Sequence, residues 1–245
     1  MSMKRIFAGL ATLILPAAAI ASPTPTVAPE DLNVHSYILL DRTGSMSSLW
    51  DEALVSVNTY ARSVAEAEPE EGPDTLSTDV TLAVFDNHDG FQFDVLRRGV
   101  NADTWDDVTN DEANPRGMTP LFDAIGRLVS LAETDAPEKA VLVIMTDGHE
   151  NASREITRDG AKAALDRARE RGWEVVFLGA DFGQFGDAQG VGISSDKTMA
   201  MSAGTLSESM DRLAKKSRDY GRGEEAEIVF DEEDRAVARE DDVQK

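Results

Sequence analysis

The chain has 245 residues, of which 46 are Asp or Glu and 24 are Lys or Arg, so its formal net charge is −22. The acidic balance argues against general nucleic-acid binding, which needs clustered Lys and Arg, and it favours divalent cations or a basic partner. An apolar fraction of 41% is enough for a packed core and argues against a wholly disordered chain. The absence of cysteine excludes disulfides, thiolate metal sites and a cysteine nucleophile.

The N-terminal residues have the pattern of a cleaved secretory signal. Lys4 and Arg5 precede an apolar run that ends at Ile20, and a small-x-small cleavage pattern ends at Ala21. The apolar run is about 15 residues long, shorter than the ~20 residues that span a bilayer as a helix. We therefore predict a signal peptide at residues 1–21, no stable membrane insertion after cleavage, and a periplasmic or secreted location. An uncleaved anchor is the alternative.

Strand-like and helix-like segments alternate after a Pro-rich leader at residues 22–32. Apolar, β-favouring runs predict strands at 34–40, 80–85, 91–96, 140–145, 173–178 and 198–201. Apolar residues spaced three and four apart predict helices at 50–64, 121–132, 156–171 and 206–220. The turn-like residues 86–90 predict a hairpin, and a glycine-rich loop is expected over 179–192.

This alternation predicts an α/β fold, with a Rossmann-like, doubly wound and mostly parallel sheet, one antiparallel edge strand, and helices on both faces. Ligands bind beyond the carboxyl ends of the strands in such sheets, so we expect the chemistry just after Leu40, Met145 and Leu178. The remaining residues, 221–245, are predicted to form a solvated acidic tail with one short helix near 232–239.

Oxygen-bearing side chains are concentrated at these strand ends. They are Asp41, Thr43 and Ser45 after the first strand, Thr119 on the loop before a helix, and Asp147 after the strand 140–145. A carboxylate with hydroxyls is hard-oxygen chemistry that suits Mg²⁺, Mn²⁺ or Ca²⁺. Taken singly, each residue has a structural interpretation: Asp41 and Thr119 as helix caps, and Asp147 as part of a turn.

The combined pattern resembles the von Willebrand factor type A domain with its metal-ion-dependent adhesion site. The family motif D-x-S/T-x-S matches residues 41–45, its G-x-T-P-L loop matches 117–121, and its T-D-G motif matches 146–148. The resemblance covers about residues 33–213, and we assign the domain to residues 33–220. It implies that Asp41, Thr43, Ser45, Thr119 and Asp147 hold the metal, the hydroxyls directly and the aspartates partly through water.

The resemblance further implies a metal-dependent protein-binding module rather than an enzyme. Ions of this class take about six oxygens or more, and the five side chains cannot all coordinate directly. The metal would then keep an open position, which an Asp or Glu carboxylate of a partner protein can fill. Mg²⁺ is the expected ion, with Mn²⁺ or Ca²⁺ as alternatives. Two departures from the family are Thr43, where serine is commoner, and Met118, where glycine is frequent.

A Mg²⁺-dependent phosphotransfer enzyme is the alternative from another class, with Asp41 as nucleophile. Residues 41–45 also resemble the aspartyl-phosphate motif of P-type ATPases and of related haloacid-dehalogenase-type phosphatases. Against this, Thr43 replaces the acid that those phosphatases use, and the loop after Asp147 lacks paired aspartates. A metal-free interaction domain is a third possibility. His149 and Glu150, which follow Asp147, are expected to be solvated loop residues.

Overall fold

The computed structural model describes residues 32–66, 76–180 and 182–243, without the side chains of 182–185, 242 and 243. The predicted signal peptide and nearly all of the leader at 22–32 lie outside these residues and stay predictions. Within the described part of the chain, no helix is long and apolar enough to cross a membrane.

The described strands form one six-stranded sheet with the order β3-β2-β1-β4-β5-β6. The strands are β1 (Asn33–Asp41), β2 (Ser77–Asn87), β3 (Phe91–Asn101), β4 (Lys139–Thr146), β5 (Glu174–Gly179) and β6 (Thr198–Ala200). β2 and β3 pair antiparallel as a hairpin, and all other neighbours are parallel. The predicted α/β sheet with one antiparallel edge strand is therefore confirmed.

Helices cover both faces of this sheet. They are α1 (Trp50–Ser63), α2 (Leu121–Asp135), α3 (Arg158–Glu170), α4 (Phe182–Gly190), α5 (Leu206–Arg222), α6 (Glu232–Val237) and α7 (Glu240–Val243). Consecutive β1 side chains point to opposite faces. Ser36 bonds to Tyr60 of α1, which bonds to Ser217 of α5, whereas Tyr37 bonds to Asp135 of α2. Accordingly α1 packs with α5 on one face, and α2 packs with α3 on the other.

The segment after β5 differs from the prediction. We expected a glycine-rich loop over 179–192, and this is wrong because α4 occupies Phe182–Gly190. Ala188, Val191 and Ile193 are buried in the core. Burial of these apolar side chains overrides the weak helix propensity of the glycines.

The acidic C-terminal segment differs as well. The predicted short helix is present as α6, and the acidic residues Glu224, Glu225 and Glu227 are exposed as expected, but Ile228 and Phe230 are buried in the core. Asp234 of α6 is also buried, and its carboxylate pairs with Arg212 of α5 at 3.3 Å. Two apolar side chains and an ion pair thus attach the segment to the domain. The division of the chain after residue 220 stays a prediction.

Candidate metal centre

The five candidate side chains lie at the carboxyl edge of the sheet. Asp41 ends β1, Thr43 and Ser45 are in the loop that follows, Thr119 precedes α2, and Asp147 follows β4. β1 and β4 are adjacent and parallel, so their carboxyl ends meet at one edge. The loops after these strands therefore start side by side.

The hydroxyl groups form a continuous chain of contacts. Thr119 Oγ1 donates to Thr43 Oγ1 at 3.2 Å. Thr43 Oγ1 lies 3.1 Å from Ser45 Oγ, which donates to Asp147 Oδ1 at 2.6 Å. The structure thus brings together the residues that the sequence identified on three separate loops.

Asp41 forms the buried floor of the cluster. Its side chain is 0% exposed, its Oδ1 accepts from Thr43 N at 2.7 Å, and its Oδ2 accepts from Thr146 Oγ1 at 2.5 Å. Burial raises the pKa of Asp41 to about 6, against the opposing hydrogen bonds from Thr146 and Thr43 and with a smaller contribution from the charge of Asp147. Sequence reasoning missed the role of Thr146, although this residue stands within the T-D-G motif.

Gly148 marks a small space between the three loops. A Cβ built on Gly148 would lie 2.6 Å from Thr119 Oγ1, 3.2 Å from Ser45 Oγ and 3.4 Å from Asp41 Oδ2. The space is lined by oxygen atoms, the ligand type that Mg²⁺, Mn²⁺ and Ca²⁺ prefer. The described residues hold no cluster of three or more His, Asp or Glu for a metal, so a cation here would rely on hydroxyl oxygens as well as carboxylates. The donor set fits a small divalent ion.

Hydrogen bonds of its backbone hold Thr119 in place, and its side chain does not cap α2. The interpretation of Thr119 as a helix cap is wrong, because Pro120 is the N-cap of α2 and the cap has no side-chain hydrogen bond. Thr119 N donates to Asn151 Oδ1 at 2.9 Å, and Thr119 O accepts from Asn151 N at 3.0 Å. These two bonds to Asn151 leave the hydroxyl of Thr119 directed at Thr43.

The two residues after Gly148 have different environments. Glu150 was expected to be solvated, and this is wrong, because it is half-buried and accepts from Phe122 N at 2.9 Å and from Ser153 N at 2.8 Å. It thereby ties the start of α2 to the loop after β4. His149 is exposed, as expected, with its Nδ1 3.2 Å from Asp187 Oδ2.

Comparisons with known proteins give structural relatives but no sequence relatives. No family model matches the sequence, and no curated protein matches it. The vWF domain of the type V pili tip protein Mfa5 from Porphyromonas gingivalis is 11% identical with a TM-score of 0.55, over 82% of this chain and 98% of that chain. Manganese-loaded TRAP protein from Plasmodium vivax is 16% identical with a TM-score of 0.52, over 77% of this chain and 74% of that one.

A third similar structure is proximal thread matrix protein 1 from the mussel byssus, which is 16% identical with a TM-score of 0.52. The match covers 76% of this chain but 46% of the mussel chain, so this chain spans less than half the length of that protein. At such identities, the likenesses establish architecture alone. Together with the sheet order and the loop positions described above, they show that the chain has the fold of a von Willebrand factor type A domain.

Proposed function

We propose that this chain is a divalent-metal-dependent protein-binding module, active in adhesion or assembly and not an enzyme. The observation that carries the proposal is the convergence of hydroxyl and carboxylate oxygens from three loops on the space beside Gly148. The residues that would hold the cation are Asp41, Thr43, Ser45, Thr119 and Asp147. Mg²⁺ is the first candidate, and Mn²⁺ and Ca²⁺ suit the same oxygen set.

The burial of these residues supports access by a partner. Asp41, Thr43 and Thr119 are buried, whereas Ser45 is exposed and Asp147 is half-buried. The cluster therefore has a protected floor and an accessible rim. A bound cation supplies positive charge at that rim, and an Asp or Glu carboxylate from a partner protein is the group we expect to complete its coordination.

The settings of the structurally similar proteins support the same class of function. One is a pili tip protein, one is loaded with manganese, and one belongs to the mussel byssus. We extend adhesion, metal dependence and protein partners to this chain as a proposal. A periplasmic or secreted location rests on the signal-like pattern at residues 1–21 and agrees with the pilus and byssus settings of those proteins.

The geometry of Asp41 disfavours the phosphotransfer alternative. A nucleophilic carboxylate needs an oxygen that can reach phosphorus. The Asp41 side chain is 0% exposed, and each of its oxygens accepts a hydrogen bond, one from Thr43 N and one from Thr146 Oγ1. Incubation with phosphoesters, followed by acid trapping, should give no phosphorylated Asp41. A trapped phosphoenzyme would favour the phosphotransfer enzyme with Asp41 as its nucleophile.

The proposal is tested by retention of partners on immobilised protein. Wild-type chain is incubated with periplasmic extract in Mg²⁺ or in EDTA, beside the Thr119→Ala variant. We expect proteins that bind the wild type in Mg²⁺ only, that elute with EDTA or free glutamate, and that Thr119→Ala does not retain. Retention that is indifferent to chelator and to the variant would contradict metal-dependent capture and would favour the metal-free interaction domain.

A further inference from the structure

Two arginines meet on one buried carboxylate beside the candidate metal centre. Arg42 Nε lies 2.5 Å from Asp86 Oδ2, and Arg116 Nε lies 3.2 Å from the same oxygen. Asp86 is 0% exposed and Arg42 is 4% exposed. Among the described residues, Asp86 Oδ1 has no hydrogen-bond partner, so the two guanidinium groups provide the compensation for this buried charge. We call Arg42, Asp86 and Arg116 the arginine clamp.

The arginine clamp joins two loops that carry candidate ligands. Arg42 belongs to the loop 41–45, and Arg116 begins the segment that leads to Thr119. The backbones of the same two arginines are also bonded, since Arg116 N donates to Arg42 O at 2.8 Å. The position of one loop against the other sets the 3.2 Å distance between the hydroxyls of Thr43 and Thr119. The arginine clamp and the bond from Gly44 N to Gly117 O at 3.2 Å therefore both tie together the loops that carry these two proposed ligands.

Ligand spacing is a means by which a site discriminates Mg²⁺ from Ca²⁺. Mg²⁺ needs near-octahedral oxygens at about 2.0–2.1 Å, whereas Ca²⁺ accepts flexible geometry at about 2.3–2.6 Å. Loops held at a fixed, narrow spacing suit the smaller ion, and looser loops penalise Mg²⁺ more than Ca²⁺. We propose that the arginine clamp is a positioning device that makes this site prefer Mg²⁺ over Ca²⁺; the inference rests on the proposed metal-binding function.

The test compares the affinities for two ions in clamp variants of the full chain. Asp86→Asn keeps the shape of the side chain and removes its charge, and Arg116→Gln removes one guanidinium whose side chain is 43% exposed and thus tolerant of change. Calorimetry with MgCl₂ and with CaCl₂ gives both dissociation constants. We expect Mg²⁺ binding to weaken at least about tenfold, the usual range for loss of a group that orients metal ligands. Ca²⁺ binding should weaken less than about threefold because Ca²⁺ tolerates altered spacing.

Arg97→Gln is the matched control. Arg97 lies on β3, its side chain is 15% exposed, and it pairs with Glu112 at 2.8 Å. Its side chain also contacts residues that are not proposed metal ligands, namely Leu96, Trp105, Asp106 and Asp107. This substitution should lower thermal stability in EDTA and leave the ratio of Mg²⁺ to Ca²⁺ affinity unchanged. Arg116→Lys, which retains the charge, should recover part of that ratio.

The possible outcomes distinguish a failure of the arginine-clamp proposal from a failure of the proposed metal site. Equal weakening of both ions, or no change in either, in a folded Asp86→Asn or Arg116→Gln variant would overturn the clamp while the metal site stands. Failure of the wild type to bind either ion would overturn the proposed function and the clamp together. If Asp86→Asn does not fold, Arg116→Gln decides the question, because its side chain is the more exposed partner.

Discussion

Strand β1 carries a buried polar cluster at each end, and the two clusters differ in how their hydrogen bonds and charges are matched. At the amino end, His35 Nε2 lies 2.8 Å from Thr81 Oγ1, and His35 Nδ1 lies 3.1 Å from the Tyr37 hydroxyl. Tyr37 donates to Asp135 Oδ2 at 3.2 Å, and Asp135 also pairs with Arg98 at 2.6 Å. In this amino-end cluster the hydrogen-bond donors are matched by acceptors, and the carboxylate of Asp135 is paired with the cation of Arg98.

The carboxyl-end cluster, formed by the five proposed ligands, consists of oxygen atoms alone. The cation next to Asp41 in sequence is Arg42, whose guanidinium turns to Asp86 and Asp94 instead, each at 2.5 Å. Burial without a compensating cation raises the pKa of Asp41 to about 6. The contrast teaches that burial of polar groups is not what marks a functional site. The distinguishing property is a buried carboxylate, that of Asp41, which among the described residues is met by a hydroxyl and a backbone amide and not by a cation.

Filling the space beside Gly148 should affect only the carboxyl-end cluster. In Gly148→Ala the added Cβ would lie 2.6 Å from Thr119 Oγ1, so the cation and the methyl group compete for the same volume. Overpacking of about 1–3 kcal/mol in the metal-bound form corresponds to an Mg²⁺ affinity about 5–150-fold weaker. Calorimetry with MgCl₂ measures this loss.

Gly186→Ala is the control for that substitution, because nothing lies within 4 Å of a Cβ at Gly186. The control should bind Mg²⁺ as the wild type does. An Mg²⁺ affinity in Gly148→Ala equal to that of Gly186→Ala would mean that the cation does not occupy the space between the three loops.

Removing a hydroxyl from the amino-end cluster should affect stability and not metal binding. Tyr37→Phe leaves His35 Nδ1 and Asp135 Oδ2 without their hydroxyl partner. Burial raises the pKa of Tyr37, so in the wild type this hydroxyl remains a donor. The free energy of unfolding should fall by about 1–2 kcal/mol in denaturant titrations. An equally large loss of Mg²⁺ affinity would show that the two clusters are coupled and not independent.

Acid should weaken metal binding through Asp41. Its pKa in the fold, about 6, is above the ordinary 3.8, so a proton occupies the carboxylate below about pH 6 and competes with the cation. Mg²⁺ affinity should fall about tenfold for each pH unit below that value and level off above it. The same raised pKa means that the metal-free chain loses stability as pH rises towards 6, because proton binding favours the fold.

Thermal unfolding in EDTA across this pH range checks the second effect, and calorimetry checks the first. Addition of Mg²⁺ should restore stability above about pH 6 and have little effect well below it. An Mg²⁺ affinity that is constant on acidification would remove Asp41 from the metal site.

Added salt should have opposite effects on Mg²⁺ binding and on partner association, and both effects should be smaller than those predicted above. The chain carries a net charge of −22, so an acidic partner segment approaches against the field of the protein. Added salt screens this repulsion and should speed partner association a few-fold, whereas it should weaken the attraction of Mg²⁺. Surface plasmon resonance with a captured partner at low and high NaCl measures the association rate. Slower association in high salt would indicate a basic contact surface on the partner.

Local patterns were sufficient to predict the sheet and the loops at its carboxyl edge. Asp41 and Asp147 follow apolar runs, and parallel strands bring such ends together. The hairpin was predictable from the turn at 86–90. The role of Thr146 required knowledge of the fold, because its partner Asp41 is 105 residues away.

Long-range packing explains the remaining differences. Arg42 and Asp86 are 44 residues apart and no motif links them, so the arginine clamp could not be predicted from spacing. Ile228 and Phe230 lie in a short apolar stretch within an acidic run, and their burial depends on the surface of the domain that covers them. α4 forms in a glycine-rich segment for the same reason, since Ala188 packs into the core.

Titration of the metal-free chain with MgCl₂ by calorimetry, in parallel with Asp41→Ala, tests the central claim most directly. We expect a single saturable site in the wild type and no measurable binding in the variant, because the variant removes the buried carboxylate beneath the hydroxyls. Thermal unfolding in EDTA establishes that the variant is folded. Equal Mg²⁺ binding by both proteins, or none by the wild type, would contradict the assignment of the carboxyl-end cluster as a metal centre.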